Sequence, residues 1–102
     1  KDGLKGFKVK GHAGYEQAGR DIVCAGVSAL AQTALLGLEE FLPNHFQWKI
    51  YQNGYIECHL EDGLSGQPFH DAQVILVTML RGLESIKQQY EDYIAIALQE
   101  VK

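Results

Sequence analysis

The sequence predicts an α/β (α+β) fold in which a small, mostly antiparallel sheet packs with two long helices. Three observations carry this. Apolar residues recur at helical spacing in two long runs, one from Ile22 to Leu42 and one from Pro68 to Tyr90. Between them, two alternating stretches flank Asn53-Gly54, a strong signature of a tight hairpin. Shorter alternating stretches stand at both ends of the chain, giving strand, helix, hairpin, helix, strand. At 102 residues this is read as one domain spanning the whole chain, able to bury a core. A hydrophobic fraction of 46% with 22% charge argues against disorder.

The first strand is read over Leu4 to Lys10, with Phe7 and Val9 on one face and Lys8 and Lys10 on the other. Asp2-Gly3 before it reads as a hairpin turn, which leads to the expectation that an N-terminal strand is lacking or comes from elsewhere. Residues 13 to 20 hold Gly14 and Gly19 without apolar periodicity and read as a loop. Asp21 is then a good N-cap, since its carboxylate can accept the exposed N–H groups of the next turn.

From Ile22, the residues Val23, Val27, Leu30, Ala31, Ala34, Leu38 and Leu42 follow at helical spacing, with no charge before Glu39. A helix so apolar all round is expected to be largely buried, covered by the sheet and by the second helix or a partner subunit. Pro43-Asn44 ends it. In the hairpin, Phe46, Trp48 and Ile50 alternate with Gln47, Lys49 and Tyr51. Beyond the turn, Ile56, Cys58 and Leu60 oppose Tyr55, Glu57 and His59. Pro68 suits a second helix start, and Val74, Val77, Leu80, Leu83 and Ile86 are read as its inner face. The tail Tyr93 to Leu98 alternates and is rich in Tyr and Ile, as a terminal strand is.

Composition narrows the function. The net charge is −4, and no basic patch is interleaved with aromatics, so direct nucleic-acid binding is not expected; a basic protein partner suits the balance better. No apolar run is long enough to span a membrane. The two cysteines, Cys24 and Cys58, do not form a disulfide framework, which suits reduced thiols in a cytoplasm. No cofactor or metal is expected. Cys58 and His59 are neighbours on a strand and point to opposite faces, so they cannot easily share an ion. His45 and His70 have no assigned partner.

The chemistry concentrates in residues 11 to 28. If Asp21 caps the helix, Cys24 is its third residue, where unpaired N–H groups and the helix dipole favour thiolate over thiol. His12, at the end of the first strand, could pair with that thiolate and serve as general acid and base. First-turn N–H groups, that of Cys24 included, could bind an oxyanion. Ser28 lies one turn beyond Cys24 on the same face and could steady thiolate or substrate. Each residue also has a plain reading. A small residue on a buried helix often only packs, a strand-end histidine often caps, Asp21 is first a cap, and a helical serine often bonds its own backbone.

The run Gly11-His12-Ala13, then Gly19, then Asp21-Ile22-Val23-Cys24-Ala25-Gly26-Val27-Ser28-Ala29 closely resembles the signature of the ribosomal-processing cysteine protease family called Prp. The resemblance implies Cys24 as nucleophile and His12 as general base, with Asp21 and Ser28 as supporting residues. It implies a homodimeric bacterial enzyme without cofactor. Such an enzyme removes a short N-terminal extension from the twenty-seventh protein of the large ribosomal subunit, cutting after an aromatic or apolar pair. Family members begin with a further strand before the position of Lys1. The loop Gly14 to Gly19 is then expected to act as a gate over the substrate, open in the free enzyme, and an apolar groove near Cys24 to select aromatic side chains. The competing expectation is a non-catalytic, dimeric, ribosome-associated interaction module in which Cys24 only packs.

Overall fold

The structure, a computed structural model, describes the backbone of residues 3–11, 18–51, 55–89 and 94–101, and side chains within 3–9, 25–51 and 55–89. The order is β1 (Gly3–Gly11), α1 (Ala18–Phe41), β2 (Phe46–Ile50), β3 (Ile56–Leu60), α2 (Gly66–Gln89) and β4 (Ile94–Val101). The four strands lie in the order β2-β3-β1-β4, and every neighbouring pair is antiparallel. It follows that α1 carries the chain from β1 past β3 to β2, and α2 carries it from β3 past β1 to β4. This is the interleaved, split βαβ arrangement, in which each helix connects two parallel strands separated by one antiparallel strand.

Alternation decides which face of the sheet is covered. Phe7 and Val9 on β1 and Ile56, Cys58 and Leu60 on β3 are buried in one cluster with Val27, Ala31, Leu35 and Leu38 of α1, Leu42 just beyond its end, and Ala72, Leu76, Met79 and Leu83 of α2. Lys8, Glu57 and His59 point the other way and bond one another: Glu57 Oε2 lies 3.1 Å from His59 Nε2 and 3.9 Å from Lys8 Nζ. The hydrogen bond from His59 is the main cause that holds the Glu57 carboxyl below its usual range. The hairpin forms as expected, closed by the Tyr51 N–H donating to the Tyr55 carbonyl at 2.8 Å. Asn53-Gly54 lies outside the described residues. The terminal strand expected from the tail is β4.

Strand β1 is central in the sheet, between β3 and β4. β3 pairs along residues 6 to 9 and β4 along residues 3 to 11. A bulge between Leu4 and Gly6 shifts the register. Without it, Leu4 and Phe7 would face opposite sides of the sheet; the extra residue turns both into the core. Gln73 of α2 covers the backbone groups this leaves, its Nε2 donating to the Leu4 carbonyl and its Oε1 accepting the Leu4 N–H, both at 2.7 Å. At Gly6 the strands approach so closely that a Cβ would collide with the Cys58 carbonyl oxygen.

The expected inner face of α2 needs correction at Val74, which is exposed; Leu83 is buried and Val77, Leu80 and Ile86 pack half-buried against the core, while the fully buried stripe runs through Ala72, Leu76, Met79 and Leu83. Both stripes are apolar at helical period, and small Ala72 lets the helix sit close to the sheet. Nor is α1 buried all round. Contacts of Gly26 with Ile86, Leu30 with Gly82 and Gly37 with Ile75 show α2 lying antiparallel along one flank. The sheet covers a second flank, and the third, with Leu36 at 70% and Phe41 at 65% exposure, is open. One sheet and one helix cannot enclose a cylinder.

Candidate active site

The site begins where β1 ends and α1 starts. β1 closes at Gly11, immediately before His12, and α1 opens at Ala18, so residues 12–17 join the two elements. His12 and Gly14, and with them the expected gate, lie outside the described residues.

The helix starts four residues earlier than the cap reading placed it. Asp21 is therefore not the N-cap but the fourth helical residue, and Gly19 is the second rather than part of a loop. Ala18 and Arg20 are strong helix formers and extend the helix backward. A glycine in the first turn gives up no intrahelical N–H bond. Cys24 is consequently the seventh residue, not the third. Its N–H belongs to the i→i−4 ladder, directed at the Arg20 carbonyl, and is not a spare oxyanion donor. The pull of the helix dipole on a thiolate is also weaker there, because it fades within the first turn.

The longer helix brings a different alignment. Positions 21, 24 and 28 stand at i, i+3 and i+7, so Asp21, Cys24 and Ser28 share one stripe of α1. Asp21 sits in the first turn, where the dipole favours a carboxylate. Ser28 is half-buried, and its Oγ accepts the Gln32 amide proton at 2.9 Å. The hydroxyl keeps its own proton to donate, and a bond accepted at the oxygen strengthens that donation. Gln32 was not singled out from sequence; its spacing of four from Ser28 is the signal that could have found it.

The second cysteine is unlike a nucleophile in every respect. Cys58 is fully buried at the centre of β3, is not in a disulfide, and burial pushes its thiol up to about 12. His59, next to it, faces the opposite side and is engaged with Glu57, so the two do not form a thiol–imidazole pair. His45 Nδ1 lies 2.8 Å from Glu61 Oε2, tying the start of β2 to the end of β3, and His70 Nδ1 lies 3.5 Å from Asp71.

Comparison with known proteins identifies the family and the fold. The family model of cysteine protease Prp matches residues 1–95. The ribosomal processing cysteine protease Prp of Bacillus subtilis strain 168 is 30% identical over 97 residues, covering 92% of this chain and 85% of the relative. The protein of the same name from Staphylococcus aureus strain Mu50 is 33% identical over 89 residues, covering 84% and 78%. Among solved structures, the essential ribosomal processing protease Prp from S. aureus in complex with a substrate peptide superposes with a TM-score of 0.74 at 27% identity. That match covers 89% of this chain and 83% of the other. From its matched signature, its fold and these relatives, the chain belongs to the cysteine protease Prp family.

Proposed function

We propose that this cysteine protease removes the N-terminal extension of the twenty-seventh large-subunit ribosomal protein during ribosome maturation, with Cys24 as nucleophile and His12 as general acid and base. The observation that supports it best is the contrast between thiols. Cys58 is sealed in the sheet, whereas Cys24 shares a helical stripe with Asp21 and Ser28 beside the strand that leads into His12.

In this reading, the Cys24 thiolate attacks the scissile carbonyl carbon, forming a C–S bond as the C=O π pair moves onto oxygen. The tetrahedral intermediate collapses, the C–N bond breaks, and the His12 imidazolium gives its proton to the departing amine. Water then attacks the thioester and loses a proton to His12, and the C–S bond breaks to restore the thiolate. With the Cys24 N–H held in the helix, the thiolate is stabilised chiefly by His12. Asp21 holds that imidazole in orientation, and the Ser28 hydroxyl donates to the thiolate or to the developing oxyanion. The acidic protein meets a basic ribosomal substrate in the cytoplasm and works as a homodimer without a cofactor. No helix among the described residues is long and apolar enough to cross a membrane.

Incubation with the extended ribosomal protein, followed by intact-mass analysis, tests the reading. Loss of the N-terminal segment with wild type and not with Cys24→Ala is expected. An unprocessed substrate under conditions where the protein is folded would overturn it.

A further inference from the structure

The open flank of α1 continues the stripe that holds Cys24. Position 24 is followed at helical spacing by 28, 32, 36 and 39, and the last three, with Leu35, form one wall of a groove of about 410 Å³. Trp48 and Ile50 of β2 form the other wall. Both face the helix-bearing side, because Trp48 pairs in register with buried Cys58 and Ile50 with buried Ile56. They nevertheless remain 53% and 44% exposed. Ile50 also sits level with Val9, near the end of β1 that leads into His12. The groove therefore runs toward the candidate catalytic end and is joined to it by the Gln32–Ser28 hydrogen bond.

Its shape fits an extended chain. β2 is an edge of the sheet, so its outer side offers a row of backbone donors and acceptors that an extended peptide can pair with. Alternate side chains of such a peptide would drop between Trp48, Ile50 and Leu36. Along the helix, Gln32 is about 12 Å and Glu39 about 22 Å from position 24. An extended peptide covers those distances in roughly four and seven residues. Glu39 closes the far end with a negative charge, which suits a basic chain.

Resting on the protease reading above, we propose that the α1–β2 groove is the remote binding subsite for the substrate. It takes an apolar, aromatic-bearing segment of a basic peptide that lies roughly four to seven residues from the scissile bond and pairs along β2.

Trp48 is the only tryptophan in the chain, so its fluorescence reports on the groove directly. A peptide carrying the cleavage sequence and about seven residues to either side is titrated into Cys24→Ala and into the same protein with Leu36→Asp, and its hydrolysis is followed in proteins that retain Cys24. A saturable blue shift with Cys24→Ala is expected, lost with Leu36→Asp and lost when one end of the peptide is trimmed to about three residues. In the active protein, Leu36→Asp raises KM for the long peptide at least about tenfold and leaves kcat/KM for the trimmed peptide unchanged. Cleavage of the long peptide without any Trp48 response would overturn the groove and leave the protease reading standing. A Trp48 response with no cleavage would do the reverse. A blue shift produced by raising the protein concentration alone, with a doubling of mass in light scattering, would assign the groove to a second copy of the chain and overturn the proposal.

Discussion

The two cysteines sit in opposite kinds of place, and the difference teaches where chemistry can occur in this fold. Cys58 lies on the middle of an inner strand, with β1 on one side and β2 on the other and both helices above its face. Its thiol is pushed up to about 12 because burial strips water from the charged form. Cys24 lies near the start of a helix whose next flank is open, at the end of the sheet where β1 gives way to residue 12. One thiol serves the core; the other is the proposed nucleophile.

The largest expected effect that separates them is on catalysis. Cys24→Ala should lower cleavage of the extended ribosomal protein by at least about 10⁴-fold with an unchanged melting curve. Cys58→Ala should leave cleavage intact while costing about 1–3 kcal/mol in urea unfolding, as expected of a buried side chain. If Cys58→Ala removed activity from a folded protein, the division of labour would be broken.

Next comes the seal around Cys58. Gly6→Ala drives a methyl group into the Cys58 carbonyl, and a loss of about 3 kcal/mol is expected from that collision; denaturant unfolding measures it. Gln73→Leu keeps the volume but strands the N–H and C=O of Leu4, for a cost of about 1–3 kcal/mol. Both should leave kcat/KM nearly untouched at a temperature where the protein is folded, because both act on the sheet and not on the stripe of α1. Smallest is Glu57→Gln on the open face of the sheet. It removes the negative charge beside His59 while leaving an amide oxygen that can still accept from it, and should move neither the cleavage rate nor the melting temperature detectably, since ion pairs open to solvent contribute little.

Much of the fold was legible because period and turn chemistry agreed. Phe46 to Leu60 alternates cleanly about a turn pair, and the register pairs the residues that alternation put on one face. The terminal strand followed from the same rule. What stayed hidden depended on neighbours. The bulge at Lys5 puts Leu4 and Phe7 on one side of the sheet, and no local propensity announces it. Two apolar stripes competed on α2, and contact with the sheet chose the one holding Ala72. The start of α1 was misplaced because Asp21 is a strong cap type, while Ala18 and Arg20 simply continue the helix. That shift weakens the dipole argument for Cys24 and gives Asp21 a place on its stripe instead. The candidate site residues stand in the sequence as a family signature, but the groove beyond Gln32 does not show there, because it needs β2 and α1 side by side.

The most direct test is competitive alkylation. The native protein is treated with iodoacetamide near neutral pH, peptides are mapped by mass, and residual cleavage activity is read in the same samples. Cys24 should be modified first, with activity lost in step. Cys58 should stay unmodified until denaturant is added, because at pH 8 a thiol at about 12 is ionised in only about one molecule in ten thousand. Equal labelling of the two thiols in the native protein, or activity that survives full modification of Cys24, would contradict the assignment of Cys24 as the nucleophile.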